Sequence, residues 1–424
     1  METLEIKDIN LLYTNWEGDT RIPNGRELGL DEINFIDFSG YILTHLNDLE
    51  YSDDNRKFNI NYVKLSEYRS DKTYFYAISH TNSSFQNILD DVLPINDTII
   101  ELSKKHNNIY FIYSHEHEGD SGNIGGLLSS RIMNYNLDES KFIIINNNSA
   151  INQYMGDYDF KVHKSNFIPY SYSRVLRNVE SDFVINKQGK FFMCRNRSPK
   201  DHRISLLIKL FLNKTIYDFN YSFITETDSI RRNLFTIIKY FDVKFFRENQ
   251  ELINTINSTI KVDDYELEKN WINPETGDFQ SNQPEIFRVP ELNISFENSY
   301  VNVVTESLYE EHLQSVHISE KSYRPFFYYQ FPIFVASPNH VQYLRELGFD
   351  VFDDLINHNY DYNLDDKERL DMVADEIKKI HNNQDTFKDF YSKNKDRFIK
   401  NRKTYFDIAC KLKEKDTDLL WNLI

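Results

Sequence analysis

Residues 317–335 read HISEKSYRPFFYYQFPIFV, and the order of residue types in this stretch indicates how the surrounding chain folds. Ser319 is a suitable N-cap for a short helix that begins with the opposite charges Glu320 and Lys321, because a serine hydroxyl accepts a hydrogen bond from a first-turn N–H. An apolar strand closes the stretch, and another, VNVVT at 301–305, precedes it. The order of strand, helix and strand favours an α/β fold with buried, parallel strands.

The same alternation of strands and helices extends through most of the chain. Three early segments are typical of buried strands, because they are short and rich in aromatic and β-branched residues: KTYFYAIS at 72–79, NIYFIYS at 108–114 and KFIIIN at 141–146. A second series of predicted strands comprises KFFMCR at 190–195, DVKFFR at 242–247, VNVVTE at 301–306, PIFVAS at 332–337 and FDVFD at 349–353. The predicted helices include LLSSRIMNYN at 127–136, DHRISLLIKLFL at 201–212 and HVQYLRELG at 340–348, where Gly348 is the expected C-cap.

A chain of 424 residues is longer than one hydrophobic core usually supports, so we expect two domains. The pattern predicts an N-terminal Rossmann-like domain at 1–175 and a C-terminal one at 183–362. From residue 363 the apolar spacing becomes helical, which predicts a helical tail at 363–424 that packs across the domains. The expected fold class is therefore α/β, with two Rossmann-like domains facing each other across a cleft.

Composition narrows the functional classes. The formal net charge is -17, which disfavours general attraction to nucleic acid because phosphate contacts need clustered Lys and Arg. The two cysteines, Cys194 and Cys410, are too few for a disulfide framework. The chain has no apolar run of the ~20 residues that a membrane helix needs, and its N-terminus has no signal-peptide pattern. We therefore expect a soluble, cytoplasmic protein without a membrane span.

One basic segment stands out from this acidic background. Residues 187–214 contain eight Lys or Arg residues and one acid, Asp201. Arg195 and Arg197 lie where a predicted strand enters a turn, and guanidinium groups match phosphate oxygens in a bidentate geometry. The segment therefore indicates a site for a small anionic ligand. The alternative is a solvated basic turn that pairs with the acidic surface.

The Glu320–Lys321 pair fits the same kind of ligand. In open α/β sheets, ligands bind beyond the carboxyl ends of the strands, and the start of a helix there favours a phosphate. Lys321 would add a full positive charge, and the Glu320 carboxylate could accept hydrogen bonds from a ribose diol. The pair thus indicates a nucleotide. The alternative is that Glu320 only complements the helix dipole, beside an unrelated solvated lysine.

A third candidate site follows the predicted strand at 108–114. The segment HEHE contains His115, Glu116 and Glu118, and it is followed by four glycines within 119–126, which allow a ligand to approach the backbone closely. Histidine and glutamate can act as general bases near neutral pH. The same residues could instead bind a metal ion, or form a polar loop without chemistry. His80, at the end of another predicted strand, is a further candidate base.

Several of these segments resemble one enzyme family. CRNRSPKDHRISLLIKL at 194–210, VNVVTES at 301–307 and the stretch from HISEKSYRP to GFDVFD at 317–353 resemble the donor-binding half of a GT-B glycosyltransferase family. This family is common in bacteriophages and related bacteria, and it is distantly similar to the α-1,3-fucosyltransferases. The resemblance spans about residues 109–406 and is most specific at SEKSYRP; the first hundred residues carry no such motif.

The resemblance implies roles for the donor-site residues. Glu320 and Lys321 would bind the ribose and phosphate of a nucleotide-sugar, at the helix that Ser319 caps. Arg195 or Arg197 would neutralise the leaving diphosphate. Three further residues would lie close to the sugar or line the pocket: Glu306, Tyr323 and Arg324.

The resemblance also implies the reaction. The relatives invert the configuration at the sugar carbon, and GT-B sites typically need no bound metal, so we expect a metal-independent transferase without a cofactor beyond its nucleotide-sugar substrate. Glu118 is the expected general base, because the resemblance places an acid before a glycine there. His115 and Glu116 remain alternatives.

The acceptor and two rival functions stay open at this stage. The hydroxyl acceptor could be a glycan, or a hydroxymethylated base of DNA modified by a phage enzyme in the host cytoplasm. The net charge of -17 counts against DNA. A non-enzymatic nucleotide-sugar-binding protein is the other rival. An acid or histidine facing the sugar would distinguish an enzyme from such a protein.

Overall fold

In the computed structural model, the described residues are 5–13, 56–79, 95, 97–115, 124–146, 158–164, 182–196, 200–223, 240–241, 243–249, 296–310, 316 and 318–423. These residues contain both helices and strands, and every strand among them pairs in parallel, which confirms the predicted α/β class. The chain divides into two compact units, Met1–Ser171 with Ala409–Ile424, and Tyr172–Ile408.

The first unit contains a six-stranded parallel sheet. Its strands are β1 (Glu5–Tyr13), β2 (Arg56–Lys64), β3 (Tyr74–Ser79), β4 (Ile109–His115), β5 (Phe142–Asn146) and β6 (Lys161–Lys164). They lie in the order β2-β1-β3-β4-β5-β6. Helix α1 (Asp97–Lys105) precedes β4, and helix α2 (Ile124–Tyr135) lies between β4 and β5.

The core of the first unit explains why its strands β3, β4 and β5 are nearly continuous apolar runs. Ile109, Phe111 and Phe142 are fully buried, and the rings of Phe111 and Phe142 stack at 4.5 Å. Lys141 is buried just before β5, where its ammonium donates to the carbonyls of Ser103 (2.7 Å) and His106 (3.2 Å). Parallel strands covered on both faces need apolar residues at nearly every position, which is why β3, β4 and β5 could be predicted.

The second unit contains a four-stranded parallel sheet. Its strands are β7 (Phe192–Asn196), β8 (Phe219–Phe223), β9 (Val301–Thr305) and β10 (Phe331–Val335), in the order β10-β9-β7-β8. Among the described residues, β7, β8, β9 and β10 are followed by the helices α3 (Asp201–Leu212), α4 (Val243–Glu248), α5 (Glu320–Phe327) and α6 (His340–Glu346). A 3₁₀ turn (Asn359–Tyr362) leads to α7 (Asp366–Asn382), α8 (Gln384–Lys393) and α9 (Lys395–Leu423).

Both sheets share one strand arrangement. In each, the first strand lies in the interior, with the second strand on one side and the third on the other. The chain direction across the sheet therefore reverses between β1 and β3 in the first unit, and between β7 and β9 in the second. Open α/β sheets bind ligands at the carboxyl ends of the strands that flank such a reversal. In the second unit, a ligand is therefore expected at the carboxyl ends of β7 and β9.

Two predicted strands are wrong. Residues 243–247 of DVKFFR lie in helix α4, and the Phe245 ring of this helix stacks at 4.5 Å on the ring of Phe241, which precedes the helix. FDVFD is irregular, because the Asp350 carboxylate accepts the Phe352 N–H at 2.9 Å and Phe352 adopts a positive φ of 64°. Both segments are short and apolar, a pattern that periodicity alone cannot assign.

The helical character of the C-terminal region is as predicted. Helix α7 packs against α3 and β10, and Lys209 of α3 forms an ion pair with Asp371 of α7. The chain from residue 363 is not a separate unit, since the division between the two units falls inside α9, after Ile408. Within the described ranges, no helix has both the length and the apolar character required to cross a bilayer.

Candidate functional site

The candidate site lies at the carboxyl ends of β7 and β9, where the strand order of the second sheet reverses. The two strands are joined there by a buried hydrogen bond from the Thr305 hydroxyl to the side-chain carbonyl of Asn196. Arg195 is the partly exposed residue of the otherwise buried strand β7. Arg197 lies outside the described residues.

Glu306 is the first residue after β9, and it connects the elements around this edge. Its side chain is fully buried. Its N–H donates to the Val335 carbonyl at 3.0 Å, and its own carbonyl accepts from His202 Nε2 at 3.0 Å and from Arg203 Nη2 at 3.3 Å. Because a carbonyl only accepts, His202 carries its proton on Nε2. The start of α3 and the end of β10 are thus both held to Glu306.

The Glu306 carboxylate is bonded to the start of α5. Oε1 accepts from the Ser319 N–H (3.2 Å) and the Ser322 hydroxyl (2.5 Å), and Oε2 accepts from the Ser319 hydroxyl (2.6 Å). Ser322 Oγ also lies 2.8 Å from His340 Nε2, at the start of α6. Both carboxylate oxygens of Glu306 accept hydrogen bonds from Ser319 and Ser322, and these bonds hold the start of α5 in place.

Helix α5 begins as its sequence predicts. Ser319 is the N-cap, and its hydroxyl accepts from the Lys321 N–H at 3.3 Å. Pro325 lies inside the helix and has no N–H to donate to the Lys321 carbonyl, which weakens this short helix. It closes where the Gln330 N–H bonds to the Pro325 carbonyl at 2.8 Å, with Tyr329 at a positive φ of 53°.

Three charged side chains line the first turn of α5. Glu320 Oε1 lies 3.1 Å from Lys321 Nζ and 3.5 Å from Arg324 Nη2. Burial alone would raise the pKa of Glu320, but Lys321 and Arg324 outweigh it and hold the pKa at about 2. Glu320 is therefore ionised at neutral pH, and the group carries a net positive charge. The Lys321 side chain is 25% exposed, so it can meet a ligand from solvent.

The neighbours of Tyr323 and Arg324 differ. Tyr323 is buried in the core against the rings of Phe349 (5.9 Å) and Tyr405 (5.3 Å), so its role here is packing. The Arg324 guanidinium lies over the Phe296 ring at 5.6 Å and next to Glu320. Of the two residues predicted to line a pocket, only Arg324 joins the charged group at the helix start.

The site also contains residues that the sequence did not single out. Arg203, in the first turn of α3, is buried and donates from Nη2 to the Thr305 carbonyl at 3.1 Å. Burial lowers its pKa, and the Glu306 carboxylate opposes this shift. The signal that could have revealed Arg203 is its place in the basic segment, at a helix start after a buried strand. Nothing local marks His202, Ser322 or His340, because their roles depend on partners distant in the sequence.

The predicted catalytic loop belongs to the first unit. Strand β4 ends at His115, whose backbone is in register with Asn146 at the end of β5. This places His115 at the carboxyl edge of the first sheet, as predicted. Glu116, Glu118 and His80 lie outside the described residues, so their predicted roles stay predictions.

Two further findings bear on the chemistry. In the part of the chain that the structure describes, no group of three or more His, Cys, Asp or Glu side chains is placed to hold a metal ion. Comparison with protein-family models, with curated proteins and with solved structures finds no match for this chain. The family resemblance of the motifs therefore remains a prediction.

Proposed function

We propose that this protein is a GT-B glycosyltransferase that binds a nucleotide-sugar in its second unit and transfers the sugar to a hydroxyl acceptor. The observation that carries the proposal is the group formed by Glu320, Lys321 and Arg324 at the start of α5, beside the reversal between β7 and β9. Ligands bind at such an edge in open α/β sheets, and the two signs of charge suit a ligand with both anionic and hydroxyl groups. The shared strand arrangement of the two sheets supports the GT-B architecture.

The cationic and the anionic side chains contact different parts of the ligand. Lys321 and Arg324 supply charge-assisted hydrogen bonds to the diphosphate, which are stronger than neutral ones. Glu320 stays ionised because its pKa is about 2, so its carboxylate is an acceptor for the ribose hydroxyls. Before binding, the ion pair of Glu320 and Lys321 holds both groups near their working positions. Binding then exchanges part of that ion pair for contacts with phosphate.

The transfer step follows from the charges that must move. A base takes the proton of the acceptor hydroxyl, the oxygen bonds to the sugar carbon, and the bond from that carbon to the diphosphate breaks with inversion. Negative charge then builds on the leaving diphosphate, where Lys321, Arg324 and Arg195 or Arg197 stabilise it without a metal. The base is assigned to Glu118 by the sequence motif, with His115 and Glu116 as alternatives.

A paired binding experiment tests the donor site. The Lys321→Met variant should weaken binding of nucleoside diphosphates by ~10–100-fold and leave the matching nucleosides unchanged, since one charge-assisted contact contributes ~1.5–3 kcal/mol. Glu320→Ala should instead reduce the preference for ribose over deoxyribose ligands. Calorimetric titration with a panel of diphosphates measures both effects.

A matched control uses a lysine with a similar ion pair away from the site. Lys393 pairs with Asp389 on the exposed face of α8, at 2.8 Å. Lys393→Met removes the same charge and should leave every affinity unchanged. Equal losses of diphosphate and nucleoside binding in Lys321→Met would contradict the phosphate role of Lys321.

Turnover distinguishes an enzyme from a nucleotide-sugar-binding protein. We expect slow release of nucleoside diphosphate from the correct nucleotide-sugar, with water as acceptor, and no change on adding EDTA. Glu118→Gln should lower this rate by ~10²–10⁴-fold, the usual contribution of a general base, without altering donor affinity. Binding without any turnover would reject the enzymatic part of the proposal.

A further inference from the structure

The Glu306 chain is the set of hydrogen-bonded side chains formed by His340, Ser322, Glu306 and Ser319, and it ends at Lys321. We infer that Ser322 and His340 are positioning residues, which hold the Lys321 ammonium where a diphosphate meets it. This inference rests on the proposed function, because it assigns a cause to the placement of the phosphate-binding group. Neither residue touches the ligand; both act through Glu306 and Ser319.

Each hydroxyl has one proton, and this determines the donor and the acceptor in every hydrogen bond of the Glu306 chain. Ser322 has one hydroxyl proton and donates it to Glu306 Oε1 at 2.5 Å, so its oxygen accepts from His340 Nε2–H at 2.8 Å. Ser319 likewise donates its proton to Glu306 Oε2 at 2.6 Å. The Ser319 oxygen is left to accept from Lys321, whose backbone N–H and ammonium each lie 3.3 Å away. The orientation of the lysine therefore depends on the carboxylate behind it.

Burial makes this arrangement difficult to replace. Glu306, Ser322 and His340 are each 0% exposed, and Ser319 is 4% exposed. A buried carboxylate is costly unless its hydrogen bonds are satisfied, so water cannot readily take over a lost partner. Removing the His340 donor leaves Ser322 able to turn its proton elsewhere, and Glu306 then loses a donor. The predicted consequence is a less well-defined position for Ser319 and Lys321.

The Glu306 chain also joins two helices. Ser322 belongs to α5, which precedes β10, and His340 is the first residue of α6, which follows β10. The His340 ring additionally packs near Phe334, with ring centroids 5.1 Å apart. If His340 had a purely structural role, its replacement would lower the stability of the protein without a specific effect on ligand binding. Ligand affinity and rescue by a substitute donor separate that role from positioning.

The experiment compares single and double variants in the full-length protein. His340→Leu and Ser322→Ala should each weaken nucleoside diphosphate binding by ~3–10-fold, without changing nucleoside binding, because an indirect role costs less than loss of a direct contact. His340→Gln keeps an N–H near the position of Nε2 and should restore most of the affinity. The double variant, which combines His340→Leu with Ser322→Ala, should lose no more than about the larger single loss, since both residues act in one chain.

A control variant in β9, the strand that Glu306 follows, measures the effect of stability alone. Asn302 of β9 is buried and donates to Gln330 Oε1 at 2.9 Å, at the opposite end of the sheet from Glu306. Asn302→Ala should lower the midpoint of thermal unfolding and leave both affinities unchanged. A loss of diphosphate affinity in this variant would show that affinity merely follows stability, and would overturn the inference.

The remaining outcomes separate the inference from the proposed function. Unchanged diphosphate binding in both His340→Leu and Ser322→Ala, together with a loss in Lys321→Met, rejects positioning and keeps the donor site. A loss in His340→Gln as large as that in His340→Leu also rejects it, because the donor N–H would then be irrelevant. No diphosphate binding by the unaltered protein rejects both. If His340→Leu fails to fold, Ser322→Ala and His340→Gln decide the question.

Discussion

At the scale of single residues, two buried cations of the second unit, Arg203 and Lys187, donate hydrogen bonds to backbone carbonyls. Arg203 donates to the carbonyls of Thr305 and Glu306, close to the candidate site. Lys187 is buried before β7, and its ammonium donates to the carbonyl of Glu297 at 2.7 Å. Carbonyls satisfy the hydrogen bonds of a cation but carry no full negative charge. Burial therefore lowers the pKa of Lys187 to about 7, with Glu297 opposing the shift.

The lowered pKa of Lys187 predicts a pH-dependent stability. Between pH ~7 and ~10.4, the unfolded chain binds a proton that the folded protein has lost, so the free energy of unfolding should rise with pH by up to ~1.4 kcal/mol per unit. Below pH ~7 both states are protonated and this contribution to the slope disappears. Lys187→Met should remove it. Urea denaturation at pH 6, 7, 8 and 9 measures the difference between the variant and the unaltered protein.

The control for this prediction is another lysine of the same segment. Lys190 is exposed, and its ammonium donates to the Tyr217 carbonyl at 2.6 Å. Lys190→Met should leave the pH slope intact. A stability difference for Lys187→Met that stays constant from pH 7 to 9 would contradict the assignment.

At the scale of helices, several C-termini use residues other than glycine in the left-handed conformation. Lys214 follows α3 with a φ of 58°, and the Thr215 N–H closes the turn on the Leu210 carbonyl at 3.0 Å. Tyr329 follows α5 in the same way. Only the end of α6 was predicted from its residue type, since Gly348 there has a φ of 94°. Side chains with a Cβ incur strain in this conformation.

Replacing Lys214 by glycine should therefore stabilise the second unit. Removal of the Cβ relieves ~1–2 kcal/mol of strain, and the greater freedom of glycine in the unfolded chain offsets part of it, which leaves a net gain of ~0.5–1 kcal/mol. Lys214 is exposed, so no buried contact is lost. Chemical denaturation of Lys214→Gly measures the gain. Lys214→Ala is the control, because alanine keeps the Cβ and should show none of it.

At the scale of the whole molecule, helix α9 belongs to both units. Its residues up to Ile408 lie in the second unit, and those from Ala409 lie in the first. Within the first unit, Trp421 packs against Phe58 of β2, with ring centroids 5.5 Å apart. The ammonium of Lys7 in β1 lies 4.9 Å from the Trp421 ring and donates to its carbonyl at 2.6 Å. Trp421, near the end of α9, thus packs against β1 and β2 of the first unit.

Truncating Trp421 should destabilise the first unit. Replacing a fully buried tryptophan by alanine lowers the free energy of unfolding by ~3–5 kcal/mol. Trp421 is half-buried, so its replacement should cost roughly half of that. We expect Trp421→Ala to increase hydrogen exchange in β1 and β2, with little change in β9 and β10. Hydrogen exchange followed by mass spectrometry makes the comparison in one sample. Equal effects on both sheets would contradict the assignment of residues 409–424 to the first unit.

The parts of the fold that could be predicted depend on neighbours along the chain. Strands β3, β4, β9 and β10 were predicted because burial on both faces makes nearly every position apolar. The start of α5 was predicted because its cap, Ser319, directly precedes it. Strands β1 and β2 mix polar and apolar residues, as in KDINLLY and RKFNINYVK, and they were missed. Their pairing with each other, in register over nine residues, is a contact across about fifty positions of sequence.

The candidate site likewise combines features that depend on local sequence with contacts between distant segments. The sequence by itself determined that Glu320 and Lys321 begin a helix after a buried strand, because charge, capping and apolar spacing are local properties. Only the tertiary structure decided that Glu306 binds Ser319 and Ser322, and that His340 completes the set. Hydrogen bonds between segments require the strand order of the sheet, and that order is set by packing of the whole core rather than by any single segment.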